Sequence, residues 1–472
     1  MNLDRSEPEP AGAQTAIVGP VVALRPRLIG TVIGDRVIAR TWVRRLLIVV
    51  YLGWSALLVR EILTGSTSRV VLLLLPLVLV AANQFPQACV LAAGPIGLFS
   101  GIALGGILSI RYPVVLVAIG GFGLVTRRWM LMPWFHIPVG ILLVFVAIGM
   151  TRMDASAGAQ SLGSSSLPLV LGLCTLAAAA CIAPKVADAL VVMGLTSVAL
   201  AFVVLSGLFR SPETRDLADD PSAILRVTAL GLNPNSLGAL LALGIVVWVG
   251  LAAERRNPLI IVLAIPEVLA LPLLKSRSSL LLLAIGVLFV VFITPGKRGV
   301  RVVSIGLIAL LVLMLFPTLM SAPYNAVLEE RAAYDLSRSD DLRRAAATLA
   351  LETAVENPWL GVGYGNFAVV SRDPNAIGFV VAVHNDFLRI AAELGLGALV
   401  CLGLMLVRVF RRMRGRMWSV TVQALLVTYV CSLAFTENLA SLAVSSGFYV
   451  VVGAAAASGG HEAMRLTKAV PE

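Results

Sequence analysis

Long apolar runs separated by short polar stretches dominate the chain. They fall at about 46–60, 70–83, 87–109, 112–126, 134–150, 167–183, 187–209, 236–252, 257–274, 278–294, 301–320, 386–409, 417–435 and 440–457. Several approach the ~20 apolar residues that a helix needs to cross hydrocarbon. The pattern predicts an all-α polytopic integral membrane protein with about 12–14 transmembrane helices. It divides the chain into a polar, disordered tail (1–43), transmembrane helices (44–320), one large loop (321–385), the final transmembrane helices (386–457) and a second tail (458–472).

The loop at 321–385 is the only polar stretch long enough to fold by itself. Ser339, Asp340 and Asp341 precede Leu342-Arg343-Arg344-Ala345-Ala346-Ala347. Such residues suit a helix N-terminus, where they accept from unpaired N–H groups and oppose the dipole. Leu342, Ala346, Leu349 and Thr353 recur at helical spacing and predict one apolar face. Asn357-Pro358 ends the helix, since proline disfavours α geometry in the residue before it. A short helix lying outside or against the membrane, followed by a glycine turn, is expected.

Composition supports the membrane reading. The chain of 472 residues is 58% hydrophobic and 13% charged, against about 25% charged for soluble domains. The net charge of +11 does not argue for nucleic acid, because the basic residues cluster in short links between apolar runs. Arg127-Arg128, Glu254-Arg255-Arg256, Lys297-Arg298 with Arg301, and the arginines at 411–416 alternate with links that lack such clusters. The positive-inside rule puts those four clusters and both termini in the cytoplasm. The links at 151–166, 210–235, 275–278, 321–385 and 436–439 then lie outside. The five cysteines all fall in apolar runs, none at zinc-site spacing, and read as buried structural thiols.

Polar residues that could do chemistry gather between Asn357 and Gly397. Gly361-Val362-Gly363-Tyr364-Gly365 could offer a run of backbone N–H groups to an anion, or form a tight turn that only glycine accepts. His384, one of three histidines, stands at the start of a membrane helix, where a neutral imidazole can take a proton from a hydroxyl; a purely structural role is the alternative. Asn385 or Asp386 can cap that helix. Asp386, Arg389 and Glu393 share one face at i, i+3 and i+7. They form a self-satisfied ladder, the wall of a polar cavity, or both. Arg277, in the tight link Lys275-Ser276-Arg277-Ser278-Ser279, and Arg226, ahead of Asn233-Pro234-Asn235-Ser236, are further cations near the outer surface. An arginine fork suits a phosphate, although Arg277 could equally snorkel to headgroups and Arg226 could be a solvated loop charge. Arg343 in the loop helix is a third such cation. Metal-ligand motifs are absent from the sequence, which leaves metal-dependent chemistry without support.

The ordered set Glu356-Asn357-Pro358-Trp359-Leu360-Gly361-Val362-Gly363-Tyr364-Gly365-Asn366-Phe367, His384-Asn385-Asp386-Phe387-Leu388 and Glu393-Leu394-Gly395 resembles the bacterial O-antigen ligase and polysaccharide polymerase superfamily. Leu232-Asn233-Pro234-Asn235-Ser236 and Ser276-Arg277 fit the same order, and the specific likeness spans residues 226–400. The resemblance implies a GT-C-like helical membrane fold in the bacterial cytoplasmic membrane. It implies transfer of a glycan from a polyprenyl-diphosphate donor to a hydroxyl of a glycan, lipid or protein acceptor on the outer face, without cofactor or metal. By that likeness His384 activates the acceptor hydroxyl, and Arg226 and Arg277 bind the diphosphate. Arg343, Gly361, Gly363, Tyr364, Asn385, Arg389 and Glu393 are the expected substrate-binding residues. A transporter or flippase of lipid-linked saccharide is the alternative. It would place function in moving central helices rather than in an external loop.

Overall fold

The computed structural model describes residues 86–99, 133–153, 167–207, 210–211, 228–229, 234–274, 276–294, 301, 305–306, 326–378, 381, 383–414, 420–436, 438–439 and 441–468. The expected N-terminal tail, Arg226 and the runs at 46–60, 70–83 and 112–126 lie outside them, as do most of the run at 301–320 and part of that at 87–109.

Thirteen α-helices are seen among the described residues. They are α1 (Pro86–Phe99), α2 (Pro133–Thr151), α3 (Leu167–Ile182), α4 (Val186–Ser206), α5 (Pro234–Arg255), α6 (Ile265–Ala270), α7 (Arg277–Ile293), α8 (Ala326–Glu356), α9 (Phe367–Arg372), α10 (Asp386–Leu394), α11 (Leu396–Arg414), α12 (Val420–Leu433) and α13 (Leu442–Lys468). A two-residue antiparallel pair, β1 (Arg210–Ser211) with β2 (Thr228–Ala229), is the one sheet among the described residues.

Helix α5 is the buried axis of one group. Its sequence is apolar on every side, so it has no face to give to water, and residues from Leu237 to Ala253 are buried throughout. It packs against α4, α7 and α12. Small residues let the neighbours approach, as is usual between helices in lipid: a side chain at Gly250 would overlap Thr421, and one at Gly238 would overlap Ser279. Helix α13 is the axis of a second group with α1, α3 and α4. Helices α2, α10 and α11 form a third, against which α8 lies. Helices α4 and α5 are long and apolar enough to cross a membrane, and shorter apolar helices accompany them. Apolar side chains remain exposed along α2, α7 and α11. A largely helical protein with apolar outer faces is what a membrane protein requires.

Three expected elements are corrected. The run at 257–274 is not one helix. It is a 3₁₀ turn (Pro258–Ala264), the short α6 and a second 3₁₀ turn (Leu271–Leu274). Pro258, Pro266 and Pro272 interrupt it, each removing a backbone donor. The run at 386–409 is two helices, α10 and α11, broken at Gly395 with φ 88°. The short loop helix is instead the 31-residue α8. Alanine, leucine, glutamate and arginine on both sides of Ser339-Asp340-Asp341 carry the helix through those cap-type residues. Its end at Glu356, before Asn357-Pro358, is as expected. Helix α13 also continues past residue 457 to Lys468. Cys181 is buried as expected, whereas Cys174, Cys401 and Cys431 are only half-buried.

Helix ends distant in sequence meet: Arg152 donates to the Gly361 carbonyl, the Leu439 N–H to Asp386, the Ser276 hydroxyl to Asn235, and Thr421 to Glu254.

Candidate functional site

The site is built on the start of α10. Asn385 is its N-cap: the side-chain oxygen accepts from the Phe387 and Leu388 N–H groups at 3.0 and 3.1 Å. Asn385→Ala removes both bonds and should lower stability by about 1 kcal/mol. Thermal melting of the purified variant measures this, and an unchanged melting temperature would refute it.

His384 precedes the cap and is half-buried between the buried Val383 and Asn385. Its φ is 53°, in the left-handed region that costs a non-glycine residue energy. The flanking buried residue and the helix cap hold it there. Strain at this one residue had no warning in the sequence, beyond histidine's greater tolerance of that region.

The expected charged face of α10 exists, but it is enclosed. Asp386, Arg389 and Glu393 are 0%, 6% and 4% exposed. The Arg389 Nε lies 3.8 Å from Glu393 Oε2, and its Nη2 donates to the Tyr364 hydroxyl at 2.9 Å. The guanidinium carbon stands 5.7 Å from the Tyr364 ring centre. Burial pushes the Tyr364 phenol far above its ordinary range, with the positive charge of Arg389 opposing. Asp386 Oδ2 accepts from the Leu439 N–H at 2.8 Å. Arg389, Glu393 and Tyr364 therefore form an internal polar cluster. Their enclosure supports the self-satisfied alternative read from the sequence.

The glycine stretch is likewise satisfied internally. Gly361 N–H donates to Asn357 O, Val362 to Ala392 O, Gly363 to Glu393 O and Tyr364 to Gly149 O, at 2.9–3.1 Å. Those donors are spent, so Gly361 and Gly363 do not present a bare anion cradle. The turn alternative accounts for them. Gly361 has φ 60° and Gly363 φ 107°, and a side chain at Gly361 would overlap the Glu393 and Ala392 backbone. Arg152 at the end of α2 completes the clamp by donating to Gly361 O at 2.7 Å, and Asn366 Nδ2 donates to Arg152 O at 2.9 Å. The contributions of α2 and of the Asn438-Leu439 turn lie far away in sequence and were missed.

Helix α8 packs beside α10 through Ala346, Leu349, Ala350, Thr353 and Ala354, the apolar face that the spacing predicts. The C-terminal ends of the two helices are joined through residues 358–363, so they run parallel. Arg343 is one turn before Ala346 on that face. It therefore belongs to the His384 end of the pair, and its side chain is exposed.

Arg277 belongs to a second corner. Ser276 caps α7, its hydroxyl donates to Asn235 Oδ1 at 2.9 Å, and Ser279 Oγ donates back to Ser276 at 2.7 Å. This joins the starts of α5 and α7, and Arg277 projects from the first turn of α7, exposed. A cation there opposes the helix dipole and does not serve stability. An anion held between the arginine and the helix start would restore the balance. Arg226 is not among the described residues. Groups of three or more metal-binding side chains are absent among the described residues.

Residues 259–403 match the family model described as Wzy_C, O-antigen ligase. The match runs from the broken segment before Arg277, through α8 and His384, into α11, and supports the O-antigen ligase-like superfamily of membrane glycan ligases and polymerases for this chain. No curated protein matches the chain.

Proposed function

We propose that this O-antigen ligase-like chain transfers a glycan from a polyprenyl-diphosphate donor to an acceptor hydroxyl at the outer face of the bacterial cytoplasmic membrane, in a GT-C-like fold and without metal. The observation that carries the reading is His384. It is a half-exposed imidazole held in a strained backbone at the capped start of α10, inside the matched segment.

In this mechanism the His384 imidazole takes the proton of the acceptor hydroxyl as its oxygen attacks the anomeric carbon. The bond from that carbon to the diphosphate oxygen breaks, and polyprenyl diphosphate leaves with its added charge. Arg277, with Arg226 and Arg343, neutralises that charge. Fixed cations in a partly dry site stabilise such a transition state far more than they would in water. Arg389, Glu393 and Tyr364 act indirectly, by fixing the loop and helix that carry His384.

The test is purified protein in liposomes with a labelled undecaprenyl-diphosphate oligosaccharide and no nucleotide or metal. A ladder of longer lipid-linked chains identifies a polymerase, and single transfer dependent on an added acceptor identifies a ligase. Arg277→Ala should raise the donor KM and lower kcat together. Donor that merely crosses the bilayer unchanged would overturn the enzyme in favour of a flippase.

A further inference from the structure

We propose that Trp359, with Leu360 and the last turns of α8, is a membrane-interface anchor that seats in the headgroup–acyl boundary and sets the level of the His384 platform. Trp359 is 81% exposed, Val355 69%, Leu351 56% and Leu360 38%. A tryptophan this open in a loop otherwise clamped by hydrogen bonds is not there for packing. Leu351 and Val355 are four residues apart and so share one side of α8. Trp359 and Leu360 follow directly on the turn that ends α8 at Glu356.

The structure also indicates what covers this patch. The Leu396 N–H, at the start of α11, donates to Pro358 O at 2.7 Å, so Trp359 stands level with the first turn of α11. From there an exposed apolar stripe descends α11 through Leu396, Val400, Leu404 and Val407. It ends at Arg411, Arg412 and Arg414. At ~1.5 Å per residue, Leu396 and Arg414 are about 27 Å apart along the helix, close to the ~30 Å of a bilayer's hydrocarbon. A stripe of that length, with tryptophan at one end and arginines at the other, has the signature of a helix seated between two interfaces. Glu352 and Glu356 are exposed beside Leu351 and Val355. Their carboxylates limit how deep the patch can sink and hold it at the boundary.

The anchor reaches the site through backbone. Val362 and Gly363 donate to the Ala392 and Glu393 carbonyls at the far end of α10. The nine residues of α10 then fix a spacing of about 12 Å from that end to the His384 end. A lipid level found by Trp359 is thereby passed to His384.

The inference rests on α11 spanning the membrane and not on the transfer reaction, so its test reads position and not activity. In full-length protein with its five native cysteines replaced, a cysteine at position 359 (Trp359→Cys) is labelled with an environment-sensitive fluorophore. Asn375→Cys, in the exposed turn after α9, is the control. In phosphatidylcholine–phosphatidylglycerol nanodiscs, the 359 label should show blue-shifted emission and quenching by nitroxides on the lipid acyl chains, and should lose most quenching by aqueous iodide. The 375 label should show the reverse. Where the cysteine-free background does not fold, brominated lipids replace the label. Part of the native tryptophan fluorescence should then be quenched, and Trp359→Phe should remove that part. Equal iodide quenching at 359 and 375 would overturn the anchor. So would shielding from iodide without lipid quenching, which would indicate a second copy of the chain.

Discussion

His384→Asn should abolish glycan transfer while leaving the chain folded and able to bind its donor. A positioned general base contributes about 10²–10⁴-fold to such a reaction, and a loss of that size in kcat is expected. Asparagine is the informative replacement because His384 has φ 53°. Asparagine tolerates that backbone nearly as well as histidine but cannot take a proton at neutral pH. His384→Ala removes the same proton acceptor and adds backbone strain, so it should lose somewhat more stability for a similar loss of rate. His384→Gly relieves the strain and should melt no lower than the native protein, yet it should be as inactive as the others. A proton-transfer role thus gives one rate and three stabilities. A merely structural histidine would give rates that follow stability, and the glycine variant would then be the most active. An asparagine variant within a few-fold of native kcat would remove His384 from the chemistry.

Much of this arrangement was legible because it is local. Pro358 ended α8, Asn385 announced the start of α10, and spacing put Asp386, Arg389 and Glu393 on one face. The apolar face of α8 was read from alanines and leucines at helical intervals. What stayed hidden depends on partners far along the chain. The glycine stretch invited an anion because its donors looked free. They are taken by Gly149, Ala392 and Glu393, and only the fold brings Gly149 there. Asp386 looked like a partner for Arg389, but its bond to the Leu439 N–H in the turn before α13 had no signal in the sequence. Gly395 lay inside an unbroken apolar run, so hydropathy joined α10 to α11. The break comes from Trp359 and Leu360, whose backbone occupies the space a side chain at 395 would need. Hydropathy reports what a segment can bury; it does not report which backbone will press against it.

Removing the Arg389 side chain should cost more stability than any other single change in this region. In Arg389→Met the Glu393 carboxylate, 4% exposed, keeps its burial and loses its cation. The Tyr364 hydroxyl, in a ring 1% exposed, loses its 2.9 Å donor. Breaking a buried pair from one side costs about 3–5 kcal/mol, because a charge is left in a medium that solvates it poorly. Arg389→Lys should cost less, since it keeps the charge but loses the planar fork that serves Glu393 and Tyr364 together. Arg389→Met with Glu393→Met should regain part of the loss, because the stranded Glu393 charge goes with it, while the buried Asp386 carboxylate on the same face remains. The series, read by denaturant or thermal unfolding in detergent, decides between two roles for this arginine. If Arg389 is internal, as its enclosure indicates, stability falls first, and the double variant recovers transfer together with stability. Had it been a donor-binding cation, Arg389→Met would leave stability nearly intact and raise the donor KM, and adding Glu393→Met would restore nothing. The same comparison bears on Arg277, for which the opposite result is expected. That side chain is exposed at a helix start that disfavours its charge, so its removal should leave stability unchanged or slightly raised while donor affinity falls.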